Sequence, residues 1–218
     1  LVFLLPFILF YEIGTIRLQP LLTIEHEDRV VAFQLLRTFF NLFGTTGRWM
    51  PVLAVAAILL GVQFASGKPW RVRPRGVLRL YVESAGWAAL LLFGSRSFAL
   101  AGASSNGSEL WSNLVLCVGA GVYEELVFRL MFICGFVMLG SDLLRLPSGG
   151  TTILAVLISA VLFAAHHHPP LGSEPFETGR FIFRTAAGLF LGALFVYRGY
   201  GVAAGTHVIY NLLVVLWI

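Results

Sequence analysis

The chain has 218 residues, 58% of them hydrophobic and only 12% charged, with a mean hydropathy of +0.85; a soluble globular domain, at about 25% charged, is excluded. The formal charge of +4 and pI near 9.4 would suggest nucleic acid in a soluble protein. Here the Lys and Arg collect in loops beside apolar runs, as juxtamembrane charge does, and no nucleic-acid partner is implied.

Spans of about 20 residues joined by short connections allow seven or eight transmembrane helices in this length. The expected fold class is therefore all-α, a polytopic transmembrane helical bundle of about seven to eight helices. It forms a single integral membrane domain over 1–218, with the lipid bilayer as its immediate partner.

In chain order, the apolar runs predict spans at Leu1 to Ile13, Val30 to Phe43, Met50 to Ala65, Val77 to Phe93, Leu110 to Leu139, Thr151 to His166, Phe181 to Tyr197 and Val202 to Ile218. The first is apolar from its first residue and lacks a basic leader, so it reads as an incomplete span rather than a signal peptide. Thr23 to Arg29 is a charged loop, and Gly67 to Gly76 a basic one carrying Lys68, Arg71, Arg73 and Arg75. Pro147 to Gly150 reads as a breaker, and Pro169-Pro170 as a helix stop. Gly188 and Gly192 read as a close-packing face. The loop from Leu171 to Arg184, with Glu174, Glu177, Arg180 and Arg184, reads as solvated, with a substrate rim as the other reading. Cys117 and Cys134 lie in the longest apolar run without metal-ligand spacing and read as packing residues.

Polar groups inside three of these runs are the unusual feature. Glu124, Glu125 and Arg129 interrupt the longest run, where each charge at a helix centre costs roughly 2.5 to 3.5 kcal/mol. In a helix Glu125 and Arg129 lie about 40° apart and can pair, whereas Glu124 points roughly 100° away. That divides the labour: Glu125 as partner of Arg129, and Glu124 facing a cavity as a general base. Phe163 and His167 fall one turn apart on one face, while His166 and His168 read as interfacial. His207 and Asn211 also share a face and can donate toward one point, as a developing oxyanion needs. A buried ion network or interhelical glue is the structural reading of each group alone. It weakens when three spans present polar groups able to converge.

Strict alternation of spans puts His167 and His207 near opposite ends of their helices. Bringing them together requires tilted, broken or unequal helices, and Gly119 and Gly121 mark one place for a break.

The pattern Glu-Glu-x-x-x-Arg at Glu124, Glu125 and Arg129, Phe-x-x-x-His at Phe163 and His167, and His-x-x-x-Asn at His207 and Asn211 resembles the CAAX-protease and bacteriocin-processing (CPBP, or ABI) family. The resemblance covers 110–218 as a catalytic core. It implies an intramembrane endopeptidase that cuts near the C-terminus of a membrane-anchored protein or peptide, either a CAAX-like tail or a sorting anchor. By the same resemblance Glu124 and His167 activate water, His207 and Asn211 form the oxyanion hole, and Glu125, Arg129 and Phe163 support the site. The strict spacing selects His167; the Ala-Ala-His run would select His166. No cofactor is expected, the competing reading being Zn held by Glu124, His167 and His207, with His166 as a further candidate. The expected location is the plasma membrane of a prokaryote. A scaffold or immunity protein on the same fold, and a transporter or proton relay, are the readings from other classes.

Overall fold

The computed structural model describes residues 2–18, 31–41, 50–67, 70–96 and 107–217. The charged loop at 23–29, Lys68 and the outer ends of the first, second and last expected spans lie outside the described residues. Among those described, all regular structure is helical.

Among the described residues eight helices follow one another: α1 (Leu5–Leu18), α2 (Val31–Asn41), α3 (Met50–Ala65), α4 (Pro74–Arg96), α5 beginning at Gly107, α6 (Ser148–Ala165), α7 (Thr178–Arg198) and α8 (Tyr200–Trp217). Helix α5 runs on without a break, as ordinary helix over Gly107–Glu125, wide π turns over Leu126–Ile133, α-helix over Cys134–Val137 and π turns again over Met138–Leu143. Helices α4, α5, α6 and α7 are long and apolar enough to cross a membrane, while α3 and α8 are apolar but shorter. At 11 residues, α2 reaches only about 16 Å, well short of a hydrocarbon core of about 30 Å.

Local chemistry sets the helix ends beyond the apolar runs. Pro74 opens α4 at a position where a missing N–H costs nothing. Glu177 caps α7, its carboxylate accepting from Gly179 N and Arg180 N at 2.9 Å each. Gly199, at φ +85°, closes α7 in a conformation that side chains disfavour, and α8 starts one residue later. Ser148, Gly149 and Gly150 belong to the first turn of α6 and not to a breaker. The chain turns between the two helices at Arg145, at φ +56°, and Pro147, and Thr151 Oγ1 donates to Pro147 O at 3.0 Å across the first turn of α6.

Helix α5 is the central rod, packed by α1, α2, α6 and α8. Tyr11, Phe33, Val118, Val122, Tyr123 and Val208 are among the buried side chains that join these helices. The expected break at Gly119 and Gly121 is not there; both glycines lie in continuous helix. Their role is close approach. A Cβ on Gly119 would fall 2.2 Å from the Tyr11 ring, and one on Gly121 would fall 2.6 Å from Val208 N. Gly188 likewise admits Ala160, and Gly192 admits Val156. The irregularity sits further on, in the π turns, where α6 supplies an extra partner to the altered backbone: Ser159 Oγ donates to Phe128 O at 2.6 Å.

We expect Gly121→Ala to lower the unfolding midpoint in detergent, because its Cβ meets backbone that cannot give way, at a cost of about 1 to 3 kcal/mol. Gly86→Ala, which meets nothing within 4 Å in α4, should leave the midpoint unchanged or raise it. Equal behaviour of the two variants would refute the close-approach reading.

Candidate active site

The site begins at the junction of the ordinary and π-helical parts of α5, where Glu124 and Glu125 are both buried. Glu125 is fully enclosed and has two partners. Arg129 Nε lies 3.1 Å from its Oε2, and His207 Nδ1 lies 2.9 Å from its Oε1. The carboxylate thus ties two places on α5 to α8. Arg129, also fully buried, donates from Nη2 to Gly188 O in α7 at 3.3 Å. Its guanidinium carbon stands 4.3 Å from the centre of the Phe163 ring in α6, a cation over an aromatic face in dry surroundings.

Phe163 is the hub of the imidazoles. Its ring centre lies 5.6, 5.5 and 5.6 Å from those of His166, His167 and His207, and its carbonyl oxygen meets Nδ1 of both His166 and His167. With Nδ1–H donated to that carbonyl, Nε2 of each ring is left as an acceptor.

Glu124 faces differently from its neighbour, as the 100° step requires. His166 Nε2 lies 3.4 Å from Oε1, and His207 Nε2 lies 3.8 Å from Oε2. Glu124, Phe163, His167, His207 and Asn211 all line one cavity of about 330 Å³. The problem of opposite helix ends resolves through unequal lengths: α6 stops beside the middle of α5, and the chain after it folds back. Asn211 Nδ2 donates to Cys117 O at 3.3 Å, leaving a second N–H on the same nitrogen.

Burial pushes the His167 imidazole down to about 4 against the upward pull of Glu124, so the ring is neutral at pH 7 and can take a proton. Burial alone would raise Glu174, but the hydrogen bond from Arg184 and nearby positive charge outweigh it and hold that carboxyl below its ordinary range.

Several placements depart from the sequence reading. His166 is not interfacial; it is 2% exposed and is the histidine nearest Glu124. His168 is also buried, with Nδ1 bonded to Glu174 O at 3.0 Å, and so pins the following loop. That loop is not simply solvated, since Glu174, Arg180 and Arg184 line the cavity. Tyr210 was missed as a wall residue. Buried Glu12 in α1, which accepts from Tyr123 Oη at 2.8 Å, was also missed. Its signal was present, a carboxylate inside an apolar run, the same signal that marks Glu124.

One ligand atom each from Glu124, His166 and His167 lies within 4.8 Å of the other two, a donor set that suits zinc. His207, the third member of the expected set with Glu124 and His167, has its Nε2 3.8 Å from Glu124 Oε2.

Nothing among curated proteins or solved structures matches the chain. A family model described as type II CAAX prenyl endopeptidase Rce1-like matches residues 106–213, the stretch that holds every group described above from Glu124 to Asn211. Over those residues the chain matches the Rce1-like family of CAAX-type endopeptidases, and its long apolar helices are those of an integral membrane protein.

Proposed function

We propose that this protein hydrolyses a peptide bond near the C-terminus of a membrane-associated substrate, a CAAX-like tail or a sorting anchor, with residues 110–218 as the catalytic core of a single membrane domain. The observation that carries the proposal is the convergence of Glu124, His167, His207 and Asn211, drawn from two helices, α5 and α8, and from the turn that ends α6, on one cavity. In this mechanism Glu124 takes a proton from a water held against it and His167, and the resulting hydroxide adds to the scissile carbonyl carbon. The oxygen of that carbonyl gains charge and is met by Asn211 Nδ2–H and by His207, which Glu125 holds in place. When the tetrahedral centre collapses, the C–N bond breaks and the proton passes from Glu124 to the leaving amine. His166 and Phe163 orient the base; Arg129 holds Glu125 in place. We place the protein in a prokaryotic plasma membrane.

The assembled donors favour one second reading, a zinc-dependent peptidase. Glu124, His166 and His167 would hold the ion, each histidine oriented by Phe163 O, and the ion would polarise water and carbonyl.

Four outcomes test these readings. Cleavage of a farnesylated C-terminal peptide in detergent should fall by at least about a hundredfold in Glu124→Gln with the fold intact; undiminished cleavage would remove Glu124 from catalysis. A strong chelator should leave the wild-type rate unchanged, whereas loss reversed by added Zn would establish the metal reading. Arg129→Gln should destabilise by about 3 to 5 kcal/mol, because Glu125 stays buried without its cation. Adding Glu125→Gln should recover stability but not activity, since His207 then loses its anchor. Activity should also persist through pH 5 to 6, where an ordinary histidine, at about 6.5, is already protonated, and fall only as pH drops toward 4 and His167 gains a proton. An acid limb near 6.5 would show that His167 is not the neutral imidazole that holds the water.

A further inference from the structure

Three charged side chains of the cavity take no part in the chemistry above. Glu174 lies in the connection after α6, and Arg180 and Arg184 stand one turn apart near the start of α7; all three line the wall. Their side chains are 37%, 46% and 21% exposed, against 7% for Glu124, so they form the outer part of a cavity whose floor is acidic. Arg184 Nη2 donates to Glu174 Oε1 at 2.8 Å, and Arg180 Nη1 lies 3.5 Å from Glu174 Oε2. The neighbouring carboxylate, Glu177, is occupied by the backbone N–H groups it caps. Arg180 Nε also lies 3.7 Å from Glu177 Oε2, so each guanidinium has a carboxylate beside it, but Arg184 Nη1 has no acceptor among the described residues. A guanidinium donor held out of water without an acceptor is unfavourable. The missing partner is an acceptor, and a planar fork fits a carboxylate.

We infer that Arg184, with Arg180 beside it, binds the free α-carboxylate at the C-terminus of the substrate. This rests on the hydrolytic reading above, and it adds a rule for choosing the bond. An extended peptide advances about 3.3 to 3.6 Å per residue, so a carboxylate gripped at the outer wall sets which carbonyl reaches Glu124. The enzyme would measure from the chain end, taking a terminal acid and disfavouring a blocked one.

The test uses two farnesylated peptides of identical sequence, one ending in a free acid and one in an amide, with the full-length protein in neutral detergent. Wild type should show a kcat/KM for the acid higher by about tenfold or more. Arg184→Gln should bring the ratio close to one, and Arg184→Lys should retain part of it. The same preference should appear in binding of the two labelled peptides to Glu124→Gln, a readout that needs no turnover. Equal wild-type rates for acid and amide would overturn the carboxylate site while leaving the peptidase in place. Loss of both substrates to the same degree in Arg184→Gln would also overturn it, reducing Arg184 to a structural role. Cleavage of neither peptide by wild type, with no acid preference in binding, would remove the hydrolytic reading and this inference together. An Arg184 effect that depends on phosphatidylglycerol over phosphatidylcholine vesicles, and not on the peptide terminus, would reassign the anion to a lipid headgroup and overturn the proposal.

Discussion

A carboxylate sealed away from both water and lipid must be matched by positive charge and by hydrogen-bond donors, and Glu125 meets that demand by drawing four helices together. Arg129 supplies the charge from the next turn of α5, and His207 supplies the second contact from α8. Arg129 in turn needs acceptors, and finds Gly188 O on α7 and the face of Phe163 on α6. Removing any one partner leaves a buried charge incompletely compensated, a far larger effect than losing an exposed ion pair such as Arg180 with Glu177.

The adjacent carboxylate has the opposite situation, and the contrast makes the site chemically useful. Glu124 has no guanidinium beside it; its near neighbours are the Nε2 atoms of His166 and His207, and a cavity. Two residues adjacent in sequence are thereby separated into a fixed partner and a carboxylate that faces the cavity. The imidazoles are held with equal care. Phe163 offers its carbonyl to the Nδ1 atoms of His166 and His167 and its ring to three histidines, while Glu125 holds Nδ1 of His207.

Such an arrangement demands that helices approach closely and that backbone irregularity be satisfied from outside the helix. Gly121 lets the backbone of α8 come against α5 at Val208, one residue from His207, which is what brings that imidazole within reach of both carboxylates. The π turns begin at Leu126, directly after the carboxylate pair, and Ser159 from α6 bonds to Phe128 O there. In hydrocarbon no water would serve that carbonyl, so the hydroxyl ties the π segment to α6.

The sequence by itself determined the membrane class, the helical architecture and the polar positions worth attention, because charge in an apolar run is costly and persists only where something compensates it. Spacing alone paired Glu125 with Arg129 and turned Glu124 away, since both follow from 3.6 residues per turn. Tertiary structure decided the rest. Only the stop of α6 beside the middle of α5 brings His166 to Glu124, and only the fold-back of the next segment, with the start of α7, makes Glu174, Arg180 and Arg184 a cavity wall. Nothing local marks these, because a charged loop has the same composition whether water or a substrate lies against it. The glycines at 119 and 121 were readable as special positions, but helix break and helix contact look alike until the neighbour that fills the space is known. Local periodicity fixes which residues share a face, whereas which faces meet depends on the lengths and crossings of helices far apart in the chain.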